Sequence, residues 1–100
     1  MGRILVVDDH DSLRKGLGRA LVNAGHDAEE AANGTLAIER LQGSQYDVVL
    51  TDLRMGGADG MDVLRTTRSI QPNAAVILMT AFGSIHTAVE AMKIGAFDFV

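Results

Sequence analysis

Blocks of apolar residues with strand or helix spacing alternate along the chain. Residues 4–7 form a continuous apolar run that is closed by two aspartates, which indicates a strand buried on both faces. From position 13 the apolar residues follow a helical spacing, with Asp11 or Ser12 as the N-cap and Gly25 as the stop. The apolar stripe of this predicted helix consists of Leu13, Leu17, Ala20, Leu21 and Ala24.

The same alternation continues to the last residue. Further strands are predicted at residues 26–31, 46–50 and 75–79, and one begins within 97–100. A short helix is predicted from the spacing of Leu36, Ala37, Ile38 and Leu41, with its end near Gly43, and further helices are predicted at residues 61–70 and 85–94. Asn33-Gly34 precedes the first of these helices, Ser84 is the predicted cap of the last, and Gly95 is its stop. Pro72 separates the helix at 61–70 from the strand that follows it.

Strands that alternate with helices of about ten residues predict an α/β fold with a parallel sheet, because parallel neighbours require a long crossover connection. One common solution is a doubly wound five-stranded sheet in the order 2-1-3-4-5. In such sheets the ligand site lies beyond the carboxyl ends of the strands, where the strand order reverses. The residues that follow strands 1, 3 and 4 are therefore the candidates for function.

Three carboxylates and one hydroxyl occupy these positions. Asp8 and Asp9 end the first strand, Asp52 ends the third, and Thr80 ends the fourth. Taken singly, each has a simpler explanation: an acid at a helix N-terminus, a turn residue, or a strand-end hydroxyl. Neighbouring strands lie only ~4.8 Å apart, so the four side chains are expected to converge. Their joint placement favours a functional site.

The predicted cluster of acids requires a cation. Two negative charges ~4 Å apart repel by about 4 kcal/mol at an effective dielectric constant of ~20. A set of oxygen ligands without thiolate or imidazole favours magnesium, which often binds one or two carboxylates together with a phosphoryl group. Asp52, alone at the end of the third strand, is then the candidate nucleophile, and its attack on phosphorus would form an acyl phosphate. Thr80 is placed to hydrogen-bond the new phosphoryl group.

Composition and charge narrow the class of protein. One hundred residues, 47% of them hydrophobic, predict a single domain. The net charge of -4, with no basic cluster, argues against direct nucleic acid contact. The absence of cysteine fits a cytoplasmic protein, and no apolar run approaches the ~20 residues of a membrane-spanning helix. His10, His26 and His86 lie in different segments and are predicted to be surface residues without a ligand role.

At these residues the chain resembles a response regulator receiver domain of bacterial two-component systems. The resemblance rests on four motifs and extends over all 100 residues. The motifs are Val6-Val7-Asp8-Asp9, the strand from Asp47 to Asp52, Asp59-Gly60, and Thr80-Ala81. Residues 81–84, 87–92 and 95–99 further resemble receivers of the nitrogen-regulator (NtrC) class, which control AAA+ transcription activators.

The resemblance implies a flavodoxin-like (CheY-like) fold and a role for each site residue. Asp52 would accept a phosphoryl group from a sensor histidine kinase, and Thr80 and Phe99 would be the switch hydroxyl and the switch aromatic residue. The implied magnesium ligands are the carboxylates of Asp8, through water, and of Asp9 and Asp52, together with the backbone carbonyl of Arg54. The domain would be a signalling phosphoacceptor and not an enzyme.

Two departures from the family pattern matter. Gly56 stands where many relatives have proline, so the loop after Asp52 is less restricted. The lysine that the family carries just after the fifth strand lies beyond Val100. We therefore expect residues 1–100 to be a receiver domain that is incomplete at its carboxyl end, without the fifth helix and without an output domain. The α1 side would then be uncovered and prone to form a homodimer.

Two other functions use the same fold or the same acids. A magnesium-dependent phosphohydrolase would also act through an aspartyl-phosphate, although Asp52-Leu53-Arg54 does not match the hydrolase DxD motif. A flavodoxin-like cofactor carrier shares the strand order, but Asp8 and Asp9 would repel a cofactor phosphate after the first strand.

Overall fold

Strands and helices alternate along the chain in the computed structural model, which describes residues 2–80 and 85–100. The strands are β1 Arg3–Val7, β2 Asp27–Ala31, β3 Val48–Asp52, β4 Ala75–Met79 and β5 Asp98–Phe99. The helices are α1 Asp11–Asn23, α2 Gly34–Gly43, α3 Gly60–Ile70 and α4 Ile85–Ile94. The predicted alternation is confirmed, and the bounds of β4 agree at both ends.

The strands form one parallel sheet in the order β2-β1-β3-β4-β5, as predicted. The register pairs Val7 with Thr51 and Asp52 with Met79. Asp8 and Thr80, each the next residue along its strand, therefore leave the sheet on either side of Asp52. The topology thus brings the ends of β1, β3 and β4 to one place.

Helices lie on both faces of the sheet. Helix α2 contacts α3 and α3 contacts α4, whereas α1 packs on β1 and β2. Right-handed crossovers account for this division, with α2, α3 and α4 on one face and α1 on the other. The largest fully buried apolar side chains come mainly from the strands and α3: Leu5, Leu64, Leu78, Val6, Val7, Val49, Val63 and Val76.

Helix α1 forms over the predicted range, but its buried residues differ from the predicted stripe. Arg14 and Gly18 are buried, whereas Leu13 is 53% exposed. The N-cap is His10, in an extended conformation, and neither Asp11 nor Ser12. Asp11 is instead the first helical residue, where its carboxylate pairs with the Arg14 guanidinium. The face of α1 that packs on the sheet is therefore partly polar.

Two further boundaries differ from the sequence expectation. Strand β3 begins at Val48 and not at Tyr46, whose N–H donates to the Gln71 side-chain oxygen Oε1 instead of to a neighbouring strand. Helix α3 begins at Gly60, one residue early. The predicted cap Ser84 and the motif residue Ala81 lie outside the described residues.

The start of α3 is fixed by a reciprocal capping arrangement. The Asp62 N–H donates to Asp59 Oδ1, and the Asp59 N–H donates to Asp62 Oδ2, both at 3.0 Å. This capping box satisfies two backbone donors at the end of the loop that follows Asp52. Within residues 2–80 and 85–100, no helix is both long enough and apolar enough to traverse a bilayer.

Candidate metal centre

The acids predicted from the strand ends converge in the structure. One ligand atom from each of Asp8, Asp9, His10 and Asp52 lies within 4.8 Å of the other three. Asp8 is 2% exposed, while Asp9 is exposed and Asp52 is half-buried. The cluster therefore has a buried floor and an open side.

This donor set fits a small divalent cation. Two ligands bonded to one ion at about 2.1 Å lie about 3.0 Å apart at right angles and about 4.2 Å apart when opposite. Ligand atoms within 4.8 Å of one another therefore need only a small closure. Three carboxylates supply hard oxygen ligands of the kind that magnesium prefers. Asp8, Asp9 and Asp52 would hold such an ion.

His10 belongs to the same cluster, which the sequence analysis did not foresee. Its Nδ1 lies 3.1 Å from Asp8 Oδ1 and 3.1 Å from Asp9 Oδ1. The side chain is 73% exposed, so its prediction as a surface residue is correct, although its contact with the two acids was not predicted. The hydrogen bond with Asp8, followed by the negative charge of Asp9, raises the pKa of His10.

The surroundings of Asp52 disfavour the ionised form of its carboxyl group. Partial burial and then the negative charge of Asp8 raise the pKa of the Asp52 carboxyl above its usual value. A cation in the cluster would reverse this effect, because it stabilises the ionised carboxylate. A bound cation would therefore favour the ionised form of the Asp52 carboxyl.

A cavity of about 660 Å³ opens beside the cluster. Asp8 and Asp52 lie on its wall together with Arg54, Thr80 and the chain's last residue, Val100. The Thr80 N–H bonds to the Val100 carbonyl at 3.0 Å, which fixes the end of β4 against the residue that follows β5. Thr80 and Arg54 therefore line the same cavity as Asp8 and Asp52, and their roles as switch hydroxyl and metal ligand stay predictions.

Phe99 directly precedes Val100, which lines the cavity. Its backbone pairs with Leu78 of β4, two residues before Thr80, and its half-buried ring packs on the hydrophobic core. Phe99 and Thr80 thus lie on adjacent strands, as expected.

Arg14 is a second residue at this site that the sequence analysis missed. Its Nη1 donates to the Asp8 carbonyl oxygen at 2.9 Å beneath the acidic cluster. The hydropathy pattern of α1 gives no sign of this contact. The one available signal is a basic residue three positions after Asp11 in the first turns of the helix.

The fold and the acidic centre define a class: a doubly wound α/β protein with a cluster of carboxylates at the carboxyl ends of its central strands. The model of the response regulator receiver domain matches residues 4–100. The chain belongs to this family.

Two curated relatives are transcriptional regulators. The regulatory protein AtoC of Escherichia coli K12 is 43% identical over 100 residues, which cover 100% of this chain and 22% of AtoC. The DNA-binding transcriptional regulator NtrC of the same strain is 40% identical over 99 residues, covering 99% of this chain and 21% of NtrC. The resemblance to the nitrogen-regulator class is confirmed, and the chain spans about a fifth of the length of these relatives.

Two solved structures share the fold closely. The response regulator TrrA of Thermotoga maritima in complex with Mg(2+)-BeF has a TM-score of 0.87 and 33% identity, covering 100% of this chain and 85% of that one. A response regulator of Burkholderia pseudomallei with a phosphorylated aspartic acid and a calcium ion has a TM-score of 0.93 and 28% identity, covering 99% and 58%.

Family membership also decides between the alternatives from sequence. The domain is a signalling phosphoacceptor and not a catalytic enzyme, which rules out the phosphohydrolase. The flavodoxin-like carrier shares the strand order but not the family.

Proposed function

We propose that this chain is the phosphoacceptor domain of a two-component response regulator and that Asp52 receives a phosphoryl group from a sensor histidine kinase. The observation that carries the proposal is the convergence of Asp8, Asp9 and Asp52 within 4.8 Å of one another, with Asp8 and Asp52 on the wall of an open cavity. The phosphorylated aspartic acid of the Burkholderia relative supports the same chemistry.

Magnesium is the proposed cofactor. The carboxylates of Asp9 and Asp52 and the backbone carbonyl of Arg54 are the proposed direct ligands, and Asp8 acts through water. The ion would neutralise charge that otherwise keeps a phosphorylated anion away from the acids. The Mg(2+)-BeF complex of the Thermotoga relative supports this choice of metal.

Phosphotransfer to Asp52 exchanges the reactive P–N bond of a phosphohistidine for the reactive P–O bond of an acyl phosphate. A carboxylate oxygen of Asp52 forms the new P–O bond while the P–N bond to the kinase histidine breaks, and the released imidazole nitrogen takes up a proton from solvent. The Thr80 hydroxyl then hydrogen-bonds an oxygen of the transferred phosphoryl group. Phe99 repacks toward the space that Thr80 leaves, which alters the surface formed by α4 and β5.

The output of the full protein is proposed to be transcriptional. AtoC and NtrC are regulators about five times as long as this chain, which leaves room for AAA+ and DNA-binding domains. Residues 1–100 would then be the cytoplasmic receiver part of such a regulator, with no nucleic acid contact of its own and with the capacity to form a homodimer.

The test is acetyl phosphate with magnesium, followed by intact mass spectrometry. The parent chain should gain one acid-labile phosphoryl group. Asp52→Asn keeps the size of the side chain but removes the anionic nucleophile, so it should gain none, while Asp27→Asn, an exposed acid of β2, should behave like the parent. A stoichiometric acyl phosphate on the Asp52 variant would overturn the assignment.

Asp9→Asn separates metal binding from nucleophilic attack. The variant should bind magnesium at least about tenfold more weakly, and excess magnesium should restore part of the phosphorylation. Unchanged magnesium affinity would remove Asp9 from the ligand set.

A further inference from the structure

Arg14 is buried, although the other arginines of this chain are exposed or half-buried. Its guanidinium contacts three different segments. Nη1 donates to the Asp8 carbonyl oxygen at 2.9 Å, Nε donates to Glu30 Oε1 of β2 at 3.1 Å, and Nη2 lies 2.8 Å from Asp11 Oδ1 of α1. The Arg14 side chain thus connects the loop between β1 and α1 to β2 and to the first turn of α1.

The hydrogen bond from Arg14 holds the backbone of Asp8 on its carbonyl side. The Asp8 N–H donates to the Ala31 carbonyl at 3.2 Å, and its C=O accepts from Arg14. Asp8 Oδ1 in turn accepts from the His10 N–H at 2.9 Å. Because the carboxylate is attached to a Cα held on both sides, the orientation of these two peptide groups determines where the carboxylate points.

Arginine is suited to this task in a way that lysine is not. The planar guanidinium presents five N–H donors in a fixed fork, so one group can serve three acceptors that lie in different directions. A lysine ammonium is a point charge on a flexible stem and would lose part of this geometry. Removal of the guanidinium would leave the Asp8 carbonyl buried without this donor, which is costly in itself.

Gly18 keeps the second acceptor in place. It lies one turn after Arg14 on the same face of α1, and a Cβ at this position would stand 3.3 Å from Glu30 Oε2. The bare backbone therefore admits the Glu30 side chain against the helix. Glu30 is 38% exposed at its side chain, so without this confinement the carboxylate would be free to turn into solvent.

We propose that Arg14 is a positioning residue of the metal centre: it holds the Asp8 peptide so that the carboxylates of Asp8 and Asp9 face Asp52, and it thereby sets the affinity for magnesium. The inference rests on the proposed function of the acidic cluster as a metal site. It assigns a role in metal binding to a side chain that is not itself a ligand.

The test compares Arg14→Met, Arg14→Lys and the control Arg19→Gln, an exposed position on the same helix. Magnesium titration followed by the backbone amide shifts of residues 8, 9 and 52 gives the affinity, and urea unfolding gives the stability. Outer contacts of this kind typically change metal affinity by about 10- to 100-fold. We expect Arg14→Met to weaken magnesium binding by at least about tenfold, Arg14→Lys by less, and Arg19→Gln not at all.

Glu30→Gln keeps the proposal testable if Arg14→Met does not fold. It preserves the shape of the acceptor but removes its charge, and it should weaken magnesium binding by a smaller factor. In phosphorylation with acetyl phosphate, the magnesium concentration for half-maximal rate should rise in the Arg14 variants while the rate at saturating magnesium stays near that of the parent.

The outcomes distinguish this inference from the proposed function. Parent-like magnesium affinity in folded Arg14→Lys and Glu30→Gln, or in folded Arg14→Met, would overturn the positioning role and leave Asp52 phosphorylation untouched. A parent chain that is phosphorylated on Asp52 without binding magnesium would overturn the metal site and the role of Arg14 together. A parent that binds magnesium but is never phosphorylated would refute only the proposed function.

Discussion

Gly60 packs directly against the backbone of Asp52. Its N–H donates to the Leu53 carbonyl at 2.9 Å, and a Cβ at position 60 would stand 2.8 Å from Leu53 Cα and closer still to the Asp52 carbonyl oxygen. The first residue of α3 therefore abuts the backbone that carries the phosphoacceptor, and there is no space for a side chain between them.

Gly60→Ala should accordingly disturb both stability and phosphorylation. The added methyl group meets backbone atoms, which cannot turn aside, so we expect a loss of about 1–3 kcal/mol in the free energy of unfolding. Displacement of Asp52 should also slow its phosphorylation. Gly16→Ala is the control, because nothing lies within 4 Å of a Cβ there and alanine favours the helix by up to about 1 kcal/mol. Equal stability of the two variants in urea would contradict this packing argument.

Thr80→Ala should separate phosphorylation from the conformational response. The nucleophile and the metal ligands remain, so the variant should still gain a phosphoryl group on Asp52. The hydroxyl that would bond this phosphoryl group is lost. A shift of the conformational equilibrium from 1:99 to 99:1 requires about 5.5 kcal/mol of differential stabilisation, and the variant lacks the hydrogen bond that would contribute to it. Amide shifts of residues 85–94 and of Phe99 on phosphorylation should therefore shrink. Shifts as large as those of the parent would show that the switch does not depend on Thr80.

The sequence predicted the parts of the site that depend on the strand register alone. Asp8 and Thr80 directly follow β1 and β4 and Asp52 is the last residue of β3, and parallel neighbours in the order 2-1-3-4-5 must bring such positions together. This reasoning needs no side-chain detail. The predictions failed for side chains whose position depends on tertiary contacts.

Arg14 and His10 illustrate what the pattern could not supply. The hydropathy pattern assigns both side chains to the surface, and it gives no sign that either side chain reaches Asp8. Arg14 is drawn inward because the buried Asp8 carbonyl and Glu30 of β2 offer acceptors that only the folded chain assembles. His10 turns to the acids because it caps α1 from an extended conformation one residue after Asp9.

On the edge strand β2, Glu29 should make the stability of the fold depend on pH. Burial alone would raise the pKa of the Glu29 carboxyl, but hydrogen bonds from Arg3 and Tyr46 outweigh it and lower the pKa below its usual value. A carboxyl with a depressed pKa in the folded state stabilises the fold above its unfolded pKa of about 4.3. This contribution is lost as the pH falls through the folded pKa.

Glu29→Gln tests this dependence by urea unfolding between pH 7 and pH 3. The variant should be less stable than the parent by about 1 kcal/mol at pH 7, within the range of partly exposed ion pairs, and the difference should vanish toward pH 3. Glu39→Gln, an exposed acid of α2, is the control and should follow the parent. A constant difference between Glu29→Gln and the parent across this range would refute the role of ionised Glu29.

The apolar side of α1 gives the last prediction. Leu13 and Leu17 line the cavity together with Met79 and Val100, and Leu13 and Val100 remain 53% and 63% exposed. Apolar side chains thus lie open to solvent on this side, and exposed apolar patches favour contacts between proteins, so we expect the 100-residue chain to self-associate through this face. Leu13→Ser should shift sedimentation velocity profiles toward the monomer. Ile70→Ser, which removes an apolar residue that is 43% exposed on α3, should not. A parent chain that stays monomeric at high concentration, or an equal effect of both substitutions, would show that the α1 face is not the contact between copies.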